Sequence, residues 1–461
     1  MKKTEYIKKL VRKKIAILGL GKNNFGLLGW LLKNGAQDIT IFDQNENIKV
    51  TVQKSNFARY SARLKYQNGK AYLNGIEDFD ILFRTPGIPY LSPAVQKARY
   101  GGVQISSQTK LFFDLCLAKI IGITGTKGKG TTATLLFQML SQKYANQKAN
   151  VYLAGNIGVD PFDFILQLKE DDLVIYELSS FMLQDLTKSP PVAVVLDITE
   201  DHLDHHKDKY EYLKSKQNIV LFQEQEDTAI INSDSLNSFA FAGISPANVH
   251  WFSTREETQD GAYFKNGNYY FSFSHKDLIV SQQDILLKGD HNRENILASL
   301  LTAKLLGVSK KHICTTLKKF KPLENRLQPV CEKNGVLAIN DSYSTTPFSV
   351  KAALSAYPQS ILLMGGKSKS TDFIAIAKIV ATQTKHLILF GEASSEIETI
   401  LPKTFHKFAK VKNLSDAVAE AVKLAKKGDT ILLSPGCASF DEFKNATERG
   451  KKFTQLVSQL L

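Results

Sequence analysis

Ile120–Ile121–Gly122–Ile123–Thr124–Gly125–Thr126–Lys127–Gly128–Lys129–Gly130–Thr131–Thr132 reads as an apolar strand entering a glycine-rich turn. The turn leaves through a lysine and two hydroxyls into the helical pattern Ala133–Leu140. Glycines let backbone N–H groups converge on phosphates, the helix N-terminus favours negative charge, and a lysine reaches the outer phosphates. The stretch therefore points to a nucleoside triphosphate, ATP first, with Gly125, Thr126, Lys127, Gly128, Lys129, Gly130, Thr131 and Thr132 as the contacting residues. A glycine-rich turn after a strand can also bind nothing; the strand–loop–helix order and the lysine favour the nucleotide. The pattern departs from G-x-x-x-x-G-K-[ST], because Ile123 and Gly130 stand where a glycine and a hydroxyl are required. The metal-facing hydroxyl then has to come from Thr131 or Thr132.

A length of 461 residues suggests about three domains. Hydrophobic content of 43% and charged content of 23% are those of an ordinary globular chain. No apolar run approaches the ~20 residues of a membrane span, and no apolar segment follows the basic N-terminus. A cytoplasmic location without signal peptide or membrane partner is expected. Cys116, Cys314, Cys331 and Cys437 are far apart and form no C-x-x-C pair, which argues against a zinc ribbon or disulfide scaffold. The net charge of +14 admits nucleic-acid binding or steering of an anionic substrate. The lysines are dispersed without an aromatic-interleaved basic block, so no nucleic-acid partner is expected.

Short apolar runs alternate with helical patterns: Ile15–Leu18, Ile39–Phe42, Ile81–Phe83, Lys119–Ile123, Leu173–Tyr176, Val192–Leu196, Ala229–Ile231, Leu337–Ile339, Ile361–Met364, Leu387–Phe390 and Thr430–Leu433. That alternation predicts an α/β protein with parallel sheets. Residues 250–287 are strand-like, aromatic and turn-rich, with Gly-Asn at 267–268, and predict a small antiparallel excursion. Three strand-to-loop entries predict three domains: a Rossmann-like domain over 1–112, a central P-loop-type ATPase domain over 113–321, and a C-terminal Rossmann-like domain over 322–461. The junctions fall near Gln108–Phe113 and Lys318–Pro322, where no strong element is expected.

Several polar groups sit just past apolar strands, where open α/β sheets bind ligands. Gly19-x-Gly21 with Asp43 at the next strand end suits a nucleotide diphosphate or, equally, tight strand–helix packing; Asn24 occupies the place of a third glycine. Arg84-Thr-Pro-Gly-Ile-Pro89 could present N–H groups to phosphate or be only a turn. Glu177 suits Mg²⁺, which takes one or two carboxylates plus substrate phosphates, or is a solvated strand end. Asp201-His202-Leu-Asp204-His205-His206 invites zinc, but the spacing is poor and a Mg²⁺-dependent phosphoryl site with one imidazole contact is the better reading. At least two of these histidines are expected at the surface. Asn292 and Asn295 share a helical face and suit an adenine edge or a helix cap. Lys216 alone reads as an ordinary lysine. Three late loops, 340–346, 365–373 and 434–443, carry hydroxyls and two lysines and imply a small acidic ligand.

Together these residues resemble the Mur ligase family of ATP-dependent amide-bond-forming enzymes. Six motifs occur in family order over essentially the whole chain: Thr124-Gly-Thr-Lys-Gly-Lys129, Glu177-Leu-Ser-Ser-Phe181, Asp201-His202-Leu-Asp204, Gly289-x-His-Asn-x-x-Asn295, Asn325-Arg326 and Asn340-Asp341-Ser342. The runs Gly365–Phe373 and Leu433–Asn445, with Arg449-Gly450, resemble the members that add D-glutamate to UDP-N-acetylmuramoyl-L-alanine in peptidoglycan precursor synthesis. The resemblance implies that ATP phosphorylates the substrate carboxylate and that the amine of D-glutamate attacks the acyl phosphate. It implies that Lys129 holds the β/γ-phosphates, that Thr131, Glu177 and His202 face Mg²⁺, and that Lys216 is carbamylated into a second metal-facing carboxylate. Asn292, Asn295, Arg326 and Asp341 would contact ATP. Thr345, Lys369 and Ser439 would hold the amino acid. Gly19, Gly21, Asp43, Thr85, Pro86, Gly87 and Asn156 would hold the UDP-sugar, in a monomer.

The chain departs from the usual family pattern at Gly130 (Ser/Thr), Asn325 (His), Tyr343 (Lys), Ala446 (an aromatic) and Gln44-Asn45 (Thr-Arg). The competing readings are a related Mur or folylpolyglutamate-type ligase with another amino acid or acceptor, and a degenerate nucleotide-binding protein. An incomplete fingerprint at Gly19–Gly26 argues against a dehydrogenase.

Overall fold

The computed structural model describes residues 3–199, 205–368 and 373–461, apart from the side chain of Lys22. Among them, three sheets of five, nine and six strands follow one another along the chain, each flanked by helices. The expected α/β class with three sheet-based domains is the observed one.

The first sheet is wholly parallel, in the order Lys65–Asn68, Ile39–Asp43, Ile15–Leu18, Ile81–Arg84, Gln104–Ser106. Strand Ile15–Leu18 has a neighbour on each side, so the loop after Leu18 lies at the topological switch point. Gly19 turns there at φ 76°, and a Cβ would sit 2.5 Å from Thr85 Cγ2. Only glycine passes so close.

The central sheet is parallel from Val151–Gly155 through Leu173–Glu177, Lys119–Thr124, Val192–Val195, Thr228–Asn232 and Asn248–Ser253 to Gly261–Lys265. Antiparallel pairing begins only with Asn268–Ser272 and Lys276–Ser281. The expected excursion is thus the continuation of the main sheet, and its first two strands are parallel. The hairpin turns on Asn266-Gly267, one residue earlier than expected. Their φ values of 49° and 77° are what a two-residue type I′ turn requires.

The third sheet runs Gln328–Lys333, Val336–Asn340, Thr430–Gly436, Ser360–Gly365, Thr384–Phe390, Phe408–Lys410, parallel except for its first pair.

The expected junction at Gln108–Phe113 is instead helix Gln108–Leu115. Ser107 caps it, its Oγ accepting from the Lys110 N–H at 3.2 Å, and Leu111, Phe112 and Leu115 are buried. The capping serine and the one-sided apolar spacing make the helix. Its apolar face belongs to one hydrophobic cluster shared by the first and central sheets, with Trp30 edge-on to Phe162 at 5.2 Å. Helix Lys310–Lys319 ends where the second junction was expected. Contacts group the chain into two compact units, Met1–Ser281 with Glu294–Thr316, and Gln282–Arg293 with Leu317–Leu461. No helix of the described residues is long and apolar enough to cross a membrane.

Candidate active site

In the first unit the polar groups gather at the C-terminal end of the central sheet. Strand Lys119–Thr124 runs into the turn, and helix Lys129–Tyr144 begins after Gly128. Gly125 and Gly128 adopt φ 153° and 84°. A Cβ on Gly128 would lie 2.0 Å from Asn295 Oδ1, so glycine there lets the Asn295 amide close over the turn. Thr132 Oγ1 donates to that same oxygen at 3.2 Å. Gly128→Ala combines this clash with a left-handed backbone, worth about 1–2 kcal/mol before any clash. It is expected to raise KM for ATP about tenfold or more; a change under twofold in phosphate release would show that the turn relaxes freely.

Lys129 lies at the first helical position, and its Nζ donates to Gly125 O at 3.1 Å and Thr126 O at 3.0 Å. Lys127 is exposed. From the other side, helix Lys209–Gln217 brings Lys216, 1% exposed, against the same turn. Its Nζ donates to Gly125 O at 2.9 Å and Thr124 Oγ1 at 3.3 Å, and it sits over the Tyr212 ring at 4.9 Å. Tyr212 OH meets Thr126 Oγ1 at 3.0 Å. The reading of Lys216 as an ordinary surface lysine is overturned, because its helix packs against the phosphate turn.

Glu177 ends strand Leu173–Glu177, opposite Ile123 on one side and Gly155 on the other. It is 6% exposed, hence not a solvated strand end. A Cβ at Gly130 would point to Glu177 Oε2 at 3.6 Å, so a residue-130 hydroxyl would stand beside this carboxylate. Gly155 turns at φ 106° against the Glu177 backbone and delivers the exposed Asn156 to the same sheet end.

Asp201, His202 and Asp204 lie outside the described residues. Of the neighbouring histidines, His205 is exposed but His206 is buried. His206 Nδ1 meets Glu211 Oε2 at 2.6 Å, its Nε2 meets Ser180 Oγ at 2.9 Å, and its ring stacks on Phe181 at 5.0 Å. It packs rather than ligates. No cluster of three or more His, Cys, Asp or Glu disposed for a metal occurs among the described residues.

At the end of the first sheet, Asp43 Oδ2 accepts from Leu20 N–H at 2.7 Å and Oδ1 from Asn45 N–H at 2.8 Å, pinning the Gly19–Gly21 turn. Asn24 explains the missing third glycine. Its buried amide donates to Gly19 O at 2.8 Å and Phe83 O at 3.3 Å, so a side chain here occupies the place where the helix would otherwise approach. Thr85-Pro86-Gly87 forms the adjoining turn, with Thr85 N–H donating to Leu18 O at 2.9 Å.

In the second unit, Asn292 Nδ2 donates to Lys288 O at 2.8 Å. Asp341 is buried past strand Val336–Asn340, where it accepts from Leu327 N–H at 3.1 Å and Ser434 Oγ at 3.0 Å. Burial pushes its carboxyl up to about 7 despite those bonds. The folded state then holds a proton that the unfolded chain has released, so stability falls as pH rises from about 4 to about 7. Asp341→Asn is expected to flatten this loss, at most about 2–3 kcal/mol between pH 5 and 8, in ligand-free urea unfolding at those two pH values; equal slopes for both proteins would refute it. Arg326 lies over the Tyr343 ring at 5.4 Å, and Tyr343 OH meets Thr447 Oγ1 at 2.9 Å.

Thr345 is half-buried and Ser439 buried, at two of the three late loops; Lys369 lies outside the described residues. The residue that organises these loops is Arg449, fully buried. Its Nη2 donates to Ser342 O at 2.8 Å, its Nε to Ser342 Oγ at 3.1 Å, and its Nη1 to Cys437 O at 3.1 Å and Ala438 O at 3.2 Å. Sequence reasoning placed Arg449 in a motif but gave it no role.

The Mur ligase middle domain family matches residues 123–303, and the Mur ligase, glutamate ligase domain family matches residues 325–437. UDP-N-acetylmuramoylalanine–D-glutamate ligase of Acetivibrio thermocellus is 36% identical, with 100% of this chain and 99% of that protein covered. The enzyme of the same name from Clostridium botulinum is 33% identical, with 98% of each covered. Among solved structures, MurF ligase from Thermotoga maritima in complex with ADP is similar in fold, with a TM-score of 0.60, 16% identity, and 97% of this chain and 95% of that chain covered. MurC of the same organism gives a TM-score of 0.60 at 16% identity, with 97% and 99% covered.

Proposed function

We propose that this chain, which belongs to the Mur ligase family, joins D-glutamate to UDP-N-acetylmuramoyl-L-alanine with cleavage of ATP to ADP and phosphate; its full-length relatives bear the name UDP-N-acetylmuramoylalanine–D-glutamate ligase. The observation that carries the phosphoryl chemistry is the convergence of Lys129 and Lys216 on Gly125 O, beside the buried Glu177.

A carboxylate is a poor acyl donor. Transfer of the γ-phosphoryl group to one of its oxygens gives an acyl phosphate and ADP. The amino-acid nitrogen then attacks the carbonyl carbon, the C–O bond to phosphate breaks from the tetrahedral intermediate, and the nitrogen loses a proton. The protein's work is positioning and charge neutralisation. In the first unit, the turn 125–132 cradles the phosphates, Lys129 neutralises the β/γ oxygens and Asn295 closes over the turn. The carboxylate of Glu177 and the hydroxyl of Thr131 supply the hard oxygen donors that Mg²⁺ takes; with Thr132 already bonded to Asn295, Thr131 is the hydroxyl for that role. His202 would add one imidazole nitrogen to these oxygen donors. The metal when bound offsets phosphate charge. A carbamate on Lys216 would keep one N–H for Gly125 O while replacing a cation with an anion.

Gly19, Gly21, Asp43, Thr85, Pro86, Gly87 and Asn156 hold the uridine nucleotide. By the family resemblance, Asn292, Arg326 and Asp341 are assigned to ATP, and Thr345, Lys369 and Ser439 to D-glutamate. The three sheets carry these three tasks in chain order, in a cytoplasmic monomer. Arg449 acts behind Thr345 and Ser439 by fixing the loops that carry them.

The test is Mg²⁺-dependent phosphate release from ATP with UDP-N-acetylmuramoyl-L-alanine and a panel of amino acids. Release with D-glutamate alone supports the reading. Release with another amino acid keeps the chemistry and moves the specificity, and no release with any pair sinks it.

A further inference from the structure

Arg84 ends strand Ile81–Arg84 and immediately precedes the Thr85-Pro86-Gly87 turn, yet it does not face solvent. Its side chain is 1% exposed and that of its partner Asp185 is 2% exposed. One edge of the guanidinium serves the turn, with Nη1 donating to Ile88 O at 2.6 Å and Thr85 O at 3.4 Å. The other edge serves the segment that follows Glu177, with Nη2 donating to Phe181 O at 3.0 Å and Asp185 Oδ2 at 3.3 Å. Asp185 is itself held, its Oδ1 accepting from Ser107 Oγ at 3.3 Å and its carbonyl from Lys110 Nζ at 3.4 Å. The Tyr90 ring lies against the guanidinium at 5.7 Å.

A buried ion pair is poor glue, because desolvation of the two ions offsets most of their attraction and an apolar pair would join the two segments as well. A planar fork of fixed donors does something an apolar pair does not: it sets direction and register between the groups it bridges. Here it bridges the turn assigned to the uridine diphosphate and the segment four residues beyond the carboxylate assigned to the phosphoryl site. The sugar nucleotide is a single extended substrate that must be held at one end while its carboxylate reacts at the other. A misplacement of about 1 Å can lower the rate about a hundredfold.

We propose that Arg84, locked by Asp185, is a positioning residue that sets the distance between the uridine-nucleotide turn and the reacting carboxylate. The proposal rests on the assignment of Thr85–Gly87 to the uridine nucleotide.

Arg84→Met, Arg84→Ala and Asp185→Asn are compared with the wild-type chain for kcat, for KM of the sugar nucleotide and of ATP, and for melting temperature. The expected result for Arg84→Met is a KM for the sugar nucleotide up about tenfold and a kcat down about tenfold or more, with KM for ATP within about twofold. In Arg84→Ala, millimolar guanidinium restores part of the loss by refilling the cavity. A folded Arg84→Met with wild-type KM and kcat overturns the proposal, as does a uniform fall of every parameter with the folded fraction. Should the arginine variants not fold, Asp185→Asn, which keeps shape and removes one charge, decides by the same criteria. If the wild type turns over no such substrate, the functional reading fails separately, and UDP binding by calorimetry judges the positioning role. Equal UDP affinity in wild type and Asp185→Asn sinks it, weaker affinity in the variant upholds it, and no UDP binding by the wild type sinks it together with the assignment of the turn.

Discussion

Lys129→Met is expected to lower kcat/KM for ATP a thousandfold or more, a loss of about 4 kcal/mol of transition-state stabilisation. Methionine keeps the length and the helix propensity of lysine, so helix Lys129–Tyr144 and its buried face persist. What disappears is the ammonium that Lys129 holds over the turn carbonyls Gly125 O and Thr126 O, at 3.1 and 3.0 Å. In a phosphoryl transfer the protein forms few bonds to the reacting group, so the loss of a fixed cation falls on kcat as well as on KM. Lys127→Met in the same turn is the internal control. Lys127 is exposed, so solvent weakens the field of its charge at the phosphates, and its removal is expected to change kcat/KM less than about tenfold. Steady-state phosphate release on both variants decides the matter. Equal losses would mean that the turn is served by general positive potential and not by a placed ammonium.

The contrast between these two lysines also shows what the sequence makes legible. Strands buried on both faces of a parallel sheet are continuous apolar runs, so the central strands and the polar residues that end them could be read directly. Edge strands such as Lys65–Asn68 and Gln104–Ser106 are short and polar, as edges are when they avoid pairing with other chains, and they carry no such signal; Phe408–Lys410 is only three residues long. The buried charges were illegible for a related reason. Composition places arginine and aspartate at the surface, and nothing local to Arg84, Asp185 or Arg449 announces a partner about a hundred residues away. Asn325 is a different case. It stands at φ 61° with its Oδ1 accepting from Asn340 Nδ2 at 3.0 Å. Asparagine and histidine both tolerate that left-handed backbone, so the departure from the family's usual histidine is one that the backbone accommodates.

Lys216→Ala is expected to abolish turnover to below about a thousandth of wild type and to recover at least about tenfold with tens of millimolar formate or acetate. The geometry makes both halves of that expectation. Lys216 is 1% exposed, and its Nζ reaches Gly125 O and Thr124 Oγ1, so truncation leaves an enclosed space ending at the phosphate turn. If the working species is a carbamate, that space has the shape of a short alkyl chain tipped by a carboxylate, and a small carboxylate can occupy the tip. If the working species is an ammonium, small carboxylates bring the wrong charge, and methylammonium should restore activity instead. The packing of Tyr212, which meets both the Lys216 ammonium and Thr126 Oγ1, provides the stability control. A melting temperature within a few degrees of wild type shows that the turn is still in place. Activity in Lys216→Ala near that of wild type would remove Lys216 from the chemistry altogether, and rescue by amines alone would keep it there as a cation.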